Sequence, residues 1–324
     1  MSFTRRHAVA ALGALAATPW AQAQPWPARP IRIVLPFGAG GVADLTVRAV
    51  GQALGERLHQ TVIVDNRPGA GGITAAEIVA RAEPDGYTLL LMSNGTAVTA
   101  GLFKKLPFDP QKDFAPISLL GTFDLAIVVP ANSPFRTLGD LLAYAKAHPG
   151  KLNIATVNIG STQNLAADLF KHAAGIQAQV VPYNGTPMLV TALLSGEVDA
   201  AVEILGPVKP QVDAKKLRAL AVLGAHRPTG LPDVPTAAES GGGLRGFDVA
   251  SWNALAAPAG TPREIVLRLN RELERVLATP ELKKRLADIN VDAKSSTPED
   301  LGKLLASEIR RWTDVIVRAN IPRQ

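Results

Sequence analysis

Ile31-Arg32-Ile33-Val34-Leu35-Pro36-Phe37-Gly38-Ala39-Gly40-Gly41-Val42-Ala43-Asp44 is the stretch whose reading sets the fold class. Its first five residues are β-branched and apolar around one Arg and predict a strand. Its glycines predict a tight turn, and the apolar spacing over 45–58 predicts a helix. Strand, short turn and helix together make a βα unit, the building block of a mostly parallel sheet covered by helices.

The same alternation continues outward. A second strand is expected over 61–64, a turn over 69–72, a helix over 73–81 and a third strand over 88–92. A strand over 125–129 is closed by Pro130, and Thr137 with Asp140 predicts a capping box for a helix reaching His148. The pattern then restarts, with strands over 152–155, 178–181, 200–204 and 217–223 and helices around 165–173 and 189–194. Beyond a Gly- and Pro-rich loop over 228–246, a strand over 249–256 precedes a helical remainder. Three helix starts are expected there, at Thr261-Pro262, Thr279-Pro280 and Thr297-Pro298, each with Thr as cap and Pro at the first helical position.

Arg5 and Arg6, the apolar run 8–18 and the small-x-small site Ala21-Gln22-Ala23 read as an export signal over 1–23, cleaved after Ala23. Thr4-Arg5-Arg6 leaves twin-arginine and ordinary secretory export both open. The run falls short of the roughly 20 residues a membrane span needs, and no later stretch is long and apolar enough. Periplasmic location is the expectation. Lys+Arg of 34 against Asp+Glu of 28 gives +6, lowered to +4 once Arg5 and Arg6 are removed. That excess is spread along the chain without aromatic interleaving, which argues against nucleic acid and for a weak preference for anions. The chain has no cysteine, so disulfides and thiolate sites are excluded.

Between strand and helix, the amides of Phe37, Gly38, Ala39, Gly40 and Gly41 are suited to a close-approaching anion. Gly38-Ala39-Gly40-Gly41-Val42-Ala43 also fits the dinucleotide pattern G-x-G-x-x-A with Asp65 ending the next strand, and a purely structural turn is the third reading. Export argues against a dinucleotide. Asn158-Ile159-Gly160-Ser161-Thr162-Gln163 is a second strand-to-helix loop, offering hydroxyls and free helix amides. Neither loop contains Lys or Arg, so an anion held between them would rest on main-chain amides, hydroxyls and water. Asp44, at the start of the helix, is expected to act from behind the first loop and not on the ligand directly.

The first loop, with Pro182-Tyr183-Asn184-Gly185, Leu194-Ser195-Gly196-Glu197-Val198-Asp199 and Trp252-Asn253 through Ala257-Pro258-Ala259-Gly260-Thr261-Pro262, resembles the substrate-binding receptors of tripartite tricarboxylate transporters, the Bug family. The resemblance spans nearly the whole chain after residue 23, with five motifs in the family's order. It implies a two-lobed α/β fold of the type II periplasmic-binding (Venus flytrap) class, each lobe a central sheet flanked by helices, closing over a small carboxylate. Lobe 1 would comprise 24–124 and 249–324, and lobe 2 would comprise 125–248. The implied binding residues are Phe37 to Gly41 and Asp44, with Ser93, Asn94, Gly95 and Thr96 beside them, faced by Gly160, Ser161, Thr162 and Gln163. Tyr183, Asn184 and Asp199 follow from the second-lobe motifs, and Glu203 is a further candidate, either meeting a cationic ligand group or solvated. Asn184 stands where the family commonly has a basic residue, and Gln163-Asn164 replaces a frequent His-Leu, so the ligand's identity stays open. The implied partner is the membrane permease of such a transporter, or a sensor kinase, served by a monomer without cofactor.

The histidines at 59, 148, 172 and 226 fall in no metal-ligand spacing, and Ser161 has no visible base and no G-x-S-x-G elbow. An exported dehydrogenase or hydrolase is therefore the weaker alternative to a binding protein.

Overall fold

β1 (Ile31–Leu35) leads through the glycine turn into α1 (Val42–Leu58), followed by β2 (Val62–Asn66), α2 (Ile73–Ala80), β3 (Thr88–Ser93) and α3 (Asn94–Leu102). The computed structural model describes residues 26–228, 231–318 and 320–324, so the export segment 1–23 and its cleavage site lie outside the described residues. β1 pairs in parallel with β2 and β3, as crossover helices require. β4 (Phe114–Pro130) then enters a second set of elements: α4 (Leu138–Ala147), β5 (Leu152–Val157), α5 (Thr162–Ala174), β6 (Ala178–Tyr183), α6 (Thr186–Ser195), β7 (Ala200–Ile204), α7 (Leu205–Asp213) and β8 (Leu217–Val222). β9 (Ala250–Pro258), α8 (Arg263–Ala278), α9 (Pro280–Ala287), β10 (Asp292–Ala293) and α10 (Pro298–Arg318) complete the chain.

The strands form one sheet in the order β2-β1-β3-β9-β4-β7-β5-β6, with β8 and β10 also paired to β4. β4 is the element that joins its two halves. From Phe114 to Asp124 it runs antiparallel to β9, and from Leu125 onward it is antiparallel to β7. The division expected between 124 and 125 thus falls inside one strand, at the point where its partner changes. Leu125, Ile127 and Val129 point into the larger core, while Ala126 and Val128 join a smaller one with Leu189, Leu193 and Leu205. Covered on both faces, the strand reads as an unbroken apolar run in place of an alternating one.

Several expectations are corrected here. Residues 94–102 and 205–213, not expected to be helical, form α3 and α7. α3 is started by a reciprocal cap: Ser93 Oγ accepts from Gly95 N–H at 3.1 Å and Thr96 Oγ1 accepts from Ser93 N–H at 3.2 Å. In α7, Pro207 sits in the first turn where its missing N–H costs nothing. Thr279 and Thr297 cap as expected, accepting from Leu282 and Asp300 N–H, but Thr261 does not. Its hydroxyl donates back to the Pro258 carbonyl at 2.8 Å, and α8 begins one residue later, with Pro262 at the cap.

The C-terminal helix returns to the first set of elements, where α10 packs on α3 and β4. Trp312, fully buried, anchors it by donating from Nε1 to Asn94 Oδ1 at 2.8 Å.

Candidate functional site

The glycine turn takes its shape from a carboxylate behind it. Asp44 is 2% exposed, and its Oδ2 accepts from Gly40 N–H and from Arg48 Nε, both at 3.0 Å. Asn66, ending β2, donates from Nδ2 to Asp44 Oδ1 and to the Phe37 carbonyl, each at 3.0 Å. Burial alone would raise the Asp44 carboxyl, but Arg48, the Gly40 amide and Asn66 outweigh it and hold it below the ordinary aspartate value. The amide it satisfies belongs to the turn and not to the first turn of the helix. Gly40 adopts φ +83°, the left-handed region that glycine enters without strain.

In front of the turn, a cavity lies between the two halves of the molecule. One wall is Phe37, Gly38, Gly41, Val42 and Ala43, with Ser93, Ser251 and Asn253 from β3 and β9. The other is Asn158, Thr162 and Gln163 with Gly185 and Thr186. Three helices therefore start at this cavity: α1 at Val42, α5 at Thr162 and α6 at Thr186. Their first-turn amides have no partner within the helix, and their dipoles place partial positive charge there. Among the described residues, no Lys or Arg lines it.

The halves touch across the opening. A Cβ on Gly38 would stand 2.6 Å from the Asn184 carbonyl oxygen, and one on Gly160 would stand 2.7 Å from Gly71 Cα. Gly71 N–H also donates to the Ile159 carbonyl at 2.7 Å. A buried chain of side chains reinforces the contact: Asn94 Nδ2 donates to Thr162 Oγ1 at 3.3 Å, and that hydroxyl bonds Ser251 Oγ at 3.1 Å.

The expected site residues are distributed unevenly over this geometry. Phe37, Gly38, Gly41, Ser93, Thr162 and Gln163 line the cavity. Gly95, Thr96, Gly160 and Ser161 line an adjoining one that shares Phe37, Ser93 and Asn158. Ala39 is exposed, Gly40 packs on Pro187, and Asn94 is spent between Trp312 and Thr162. Tyr183 and Asp199 stand outside both cavities: the Tyr183 hydroxyl donates to Glu197 Oε1, and Asp199 accepts from Asn153 N–H at 2.8 Å. Asn184 has an exposed side chain and contributes only main chain, against Gly38.

Glu203 is neither solvated nor in the cavity. It is 1% exposed on β7, accepting from Gln163 Nε2 at 2.9 Å, Ile204 N–H at 2.7 Å and Thr186 Oγ1 at 3.0 Å. Burial pushes its carboxyl above the ordinary glutamate value, against the pull of those three donors. The sequence reading missed Asn158, Thr186, Ser251 and Asn253 as lining residues. Asn253 had a signal: it is the only side-chain amide in the strand Ala250–Pro258, whose other residues apart from Ser251 are apolar, and polar groups are rarely buried without a purpose. Asp65, the acid of the dinucleotide reading, is taken by Arg32 and Arg67.

Residues 46–321 match the sequence model of the family described as "Tripartite tricarboxylate transporter family receptor". A protein from the tcbD-tcbE intergenic region of Pseudomonas sp. (strain P51) is 38% identical over 292 residues, 90% of this chain and 87% of that one. The periplasmic binding protein BugD superposes with TM-score 0.88 at 32% identity, covering 92% of this chain and 100% of that one. MatC from Rhodopseudomonas palustris with bound malate superposes with TM-score 0.85 at 34% identity, covering 90% and 100% respectively.

Proposed function

Because this chain belongs to the receptor family of tripartite tricarboxylate transporters, whose members are periplasmic binding proteins with a two-lobed α/β fold and not enzymes, we propose that it captures a small carboxylate between its halves and delivers it to the transporter's permease subunits. Lobe 1 in this reading is 24–124 with 249–324, lobe 2 is 125–248, and export removes 1–23. The observation that carries the proposal is the convergence of three helix starts on a cavity without Lys or Arg. Such a site compensates a carboxylate by oriented amides and partial charges, which cost no reorganisation when the ligand arrives. MatC, with malate bound, is of the same fold and size and supports a carboxylate as the cargo.

A thermal-shift screen of mono-, di- and tricarboxylates tests the reading. A ligand that binds only the folded state raises the melting temperature by mass action. A concentration-dependent rise with at least one carboxylate is expected; flat melting curves across the series would remove the carboxylate as cargo. Cargo delivery is checked separately, by uptake of the identified carboxylate in cells with and without the receptor.

A further inference from the structure

We propose that Glu203 is a positioning residue for specificity: by taking up the Thr186 hydroxyl hydrogen and one amide hydrogen of Gln163, it turns acceptors of both side chains toward the cavity, so that the site selects carboxylates bearing a hydroxyl or ammonium group. The inference rests on the carboxylate reading above and names the class of carboxylate.

Gln163 and Thr186 both line the cavity, and both give a hydrogen to Glu203 behind them. A threonine hydroxyl has one hydrogen; with that spent at 3.0 Å on Glu203 Oε2, Thr186 offers a ligand only lone pairs. The Gln163 amide is oriented by the same carboxylate. Glu203 Oε1 already accepts the fixed main-chain N–H of Ile204 at 2.7 Å, so a reversed Gln163 amide would set oxygen against oxygen. Gln163 Oε1 is therefore left for a ligand donor, beside the second Nε2 hydrogen, which can serve a ligand acceptor. Across the cavity a side-chain donor faces them. Asn253 is 1% exposed, and its Nδ2, a buried donor, has no partner. It lines the cavity with the free amides at the start of α1, a wall of donors suited to a carboxylate. The starts of α5 and α6 add main-chain donors beside these acceptors, so a ligand that satisfies every group needs, besides its carboxylates, a donor substituent directed at Gln163 and Thr186. A plain dicarboxylate leaves the acceptors of Gln163 and Thr186 desolvated and unpaired, the condition under which a site discriminates most strongly.

Calorimetric titration of the mature protein with two matched sets tests this: succinate, L-malate and L-aspartate, and glutarate, 2-hydroxyglutarate and L-glutamate. In at least one set the hydroxy or amino member should bind roughly tenfold or more tighter than its parent, and the pair that does so tells hydroxyl from ammonium. Glu203→Gln brings an amide that must donate to Gln163 or Thr186, so the ratio should collapse to within about threefold with the parent's affinity little changed. Thr186→Val, which leaves Glu203 in place, should lower the same ratio and provides the comparison if Glu203→Gln does not fold. A purely structural role would weaken all ligands alike and leave the ratio intact, which overturns the proposal. So does a wild-type protein that binds the parent as tightly as both derivatives. Failure of every carboxylate to bind would instead overturn the carboxylate reading, and this one with it.

Discussion

Behind the glycine turn a single buried carboxylate, Asp44, holds Gly40 N–H while Asn66 ties it to the Phe37 carbonyl. Asp44→Ala should therefore weaken carboxylate binding roughly tenfold or more, about 1.4 kcal/mol, without touching the ligand. Stability should drop by about 1–3 kcal/mol, because Gly40 N–H and Asn66 lose a buried acceptor. The pH dependence has a definite sign. The folded-state carboxyl lies below its unfolded value of about 3.9, so the stabilisation is complete above that pH and is lost as pH falls through the folded value. Urea melts of wild type and variant should differ at pH 7 and converge as the pH is brought below about 3.9; a gap independent of pH would assign the loss to packing. At this scale the sequence was partly legible. An acid four residues past Gly40 points to a role behind the turn, because Gly40 and Asp44 are local. Glu203 was not, since its partners lie 40 and 17 residues away and only the fold brings them together.

Among the elements, the helix caps give the sharpest contrast. Thr279 accepts from Leu282 N–H at the start of α9, so Thr279→Ala should cost about 1 kcal/mol in chemical denaturation. Thr261→Ala leaves the α8 start without a lost cap and should shift the melt less; equal losses would show that the Thr-Pro pattern caps α8 after all. Elements with an uninterrupted period, such as β1 and α1, were readable within a few residues. The first part of β4 was not: Pro116 and Gly121 sit at register shifts against β9, and bulges there destroy the period-two pattern on which strand reading depends. α3 went unread because Ser93, Asn94, Gly95 and Thr96 look like a loop until the reciprocal cap between the first and last of them is seen. α7 was hidden by Pro207 and Pro210, which count as breakers unless their place in the helix is known.

For the molecule as a whole, contact of Gly38 with the Asn184 carbonyl marks a closed arrangement. Ligand should contract the protein in small-angle scattering, and an unchanged radius of gyration at saturation would argue against closure. Gly38→Ala tests the same contact from the other side. Its Cβ would stand 2.6 Å from a main-chain oxygen that has no rotamer to yield, so the variant should stay more open and bind roughly tenfold more weakly. The alternating α/β architecture and the two glycine loops were legible because each is local. Which loop residues face each other was not, because that depends on how the halves meet. The continuity of β4 across Asp124 and Leu125 bears on how they part. A strand clamped by β9 on one side of that point and by β7 on the other is a flexure and not a pin joint. Opening is then expected to be shared as small changes in twist along the ladder, while the bonds across the cavity mouth, from Gly71 N–H to the Ile159 carbonyl and from Asn94 to Thr162, are the ones that break.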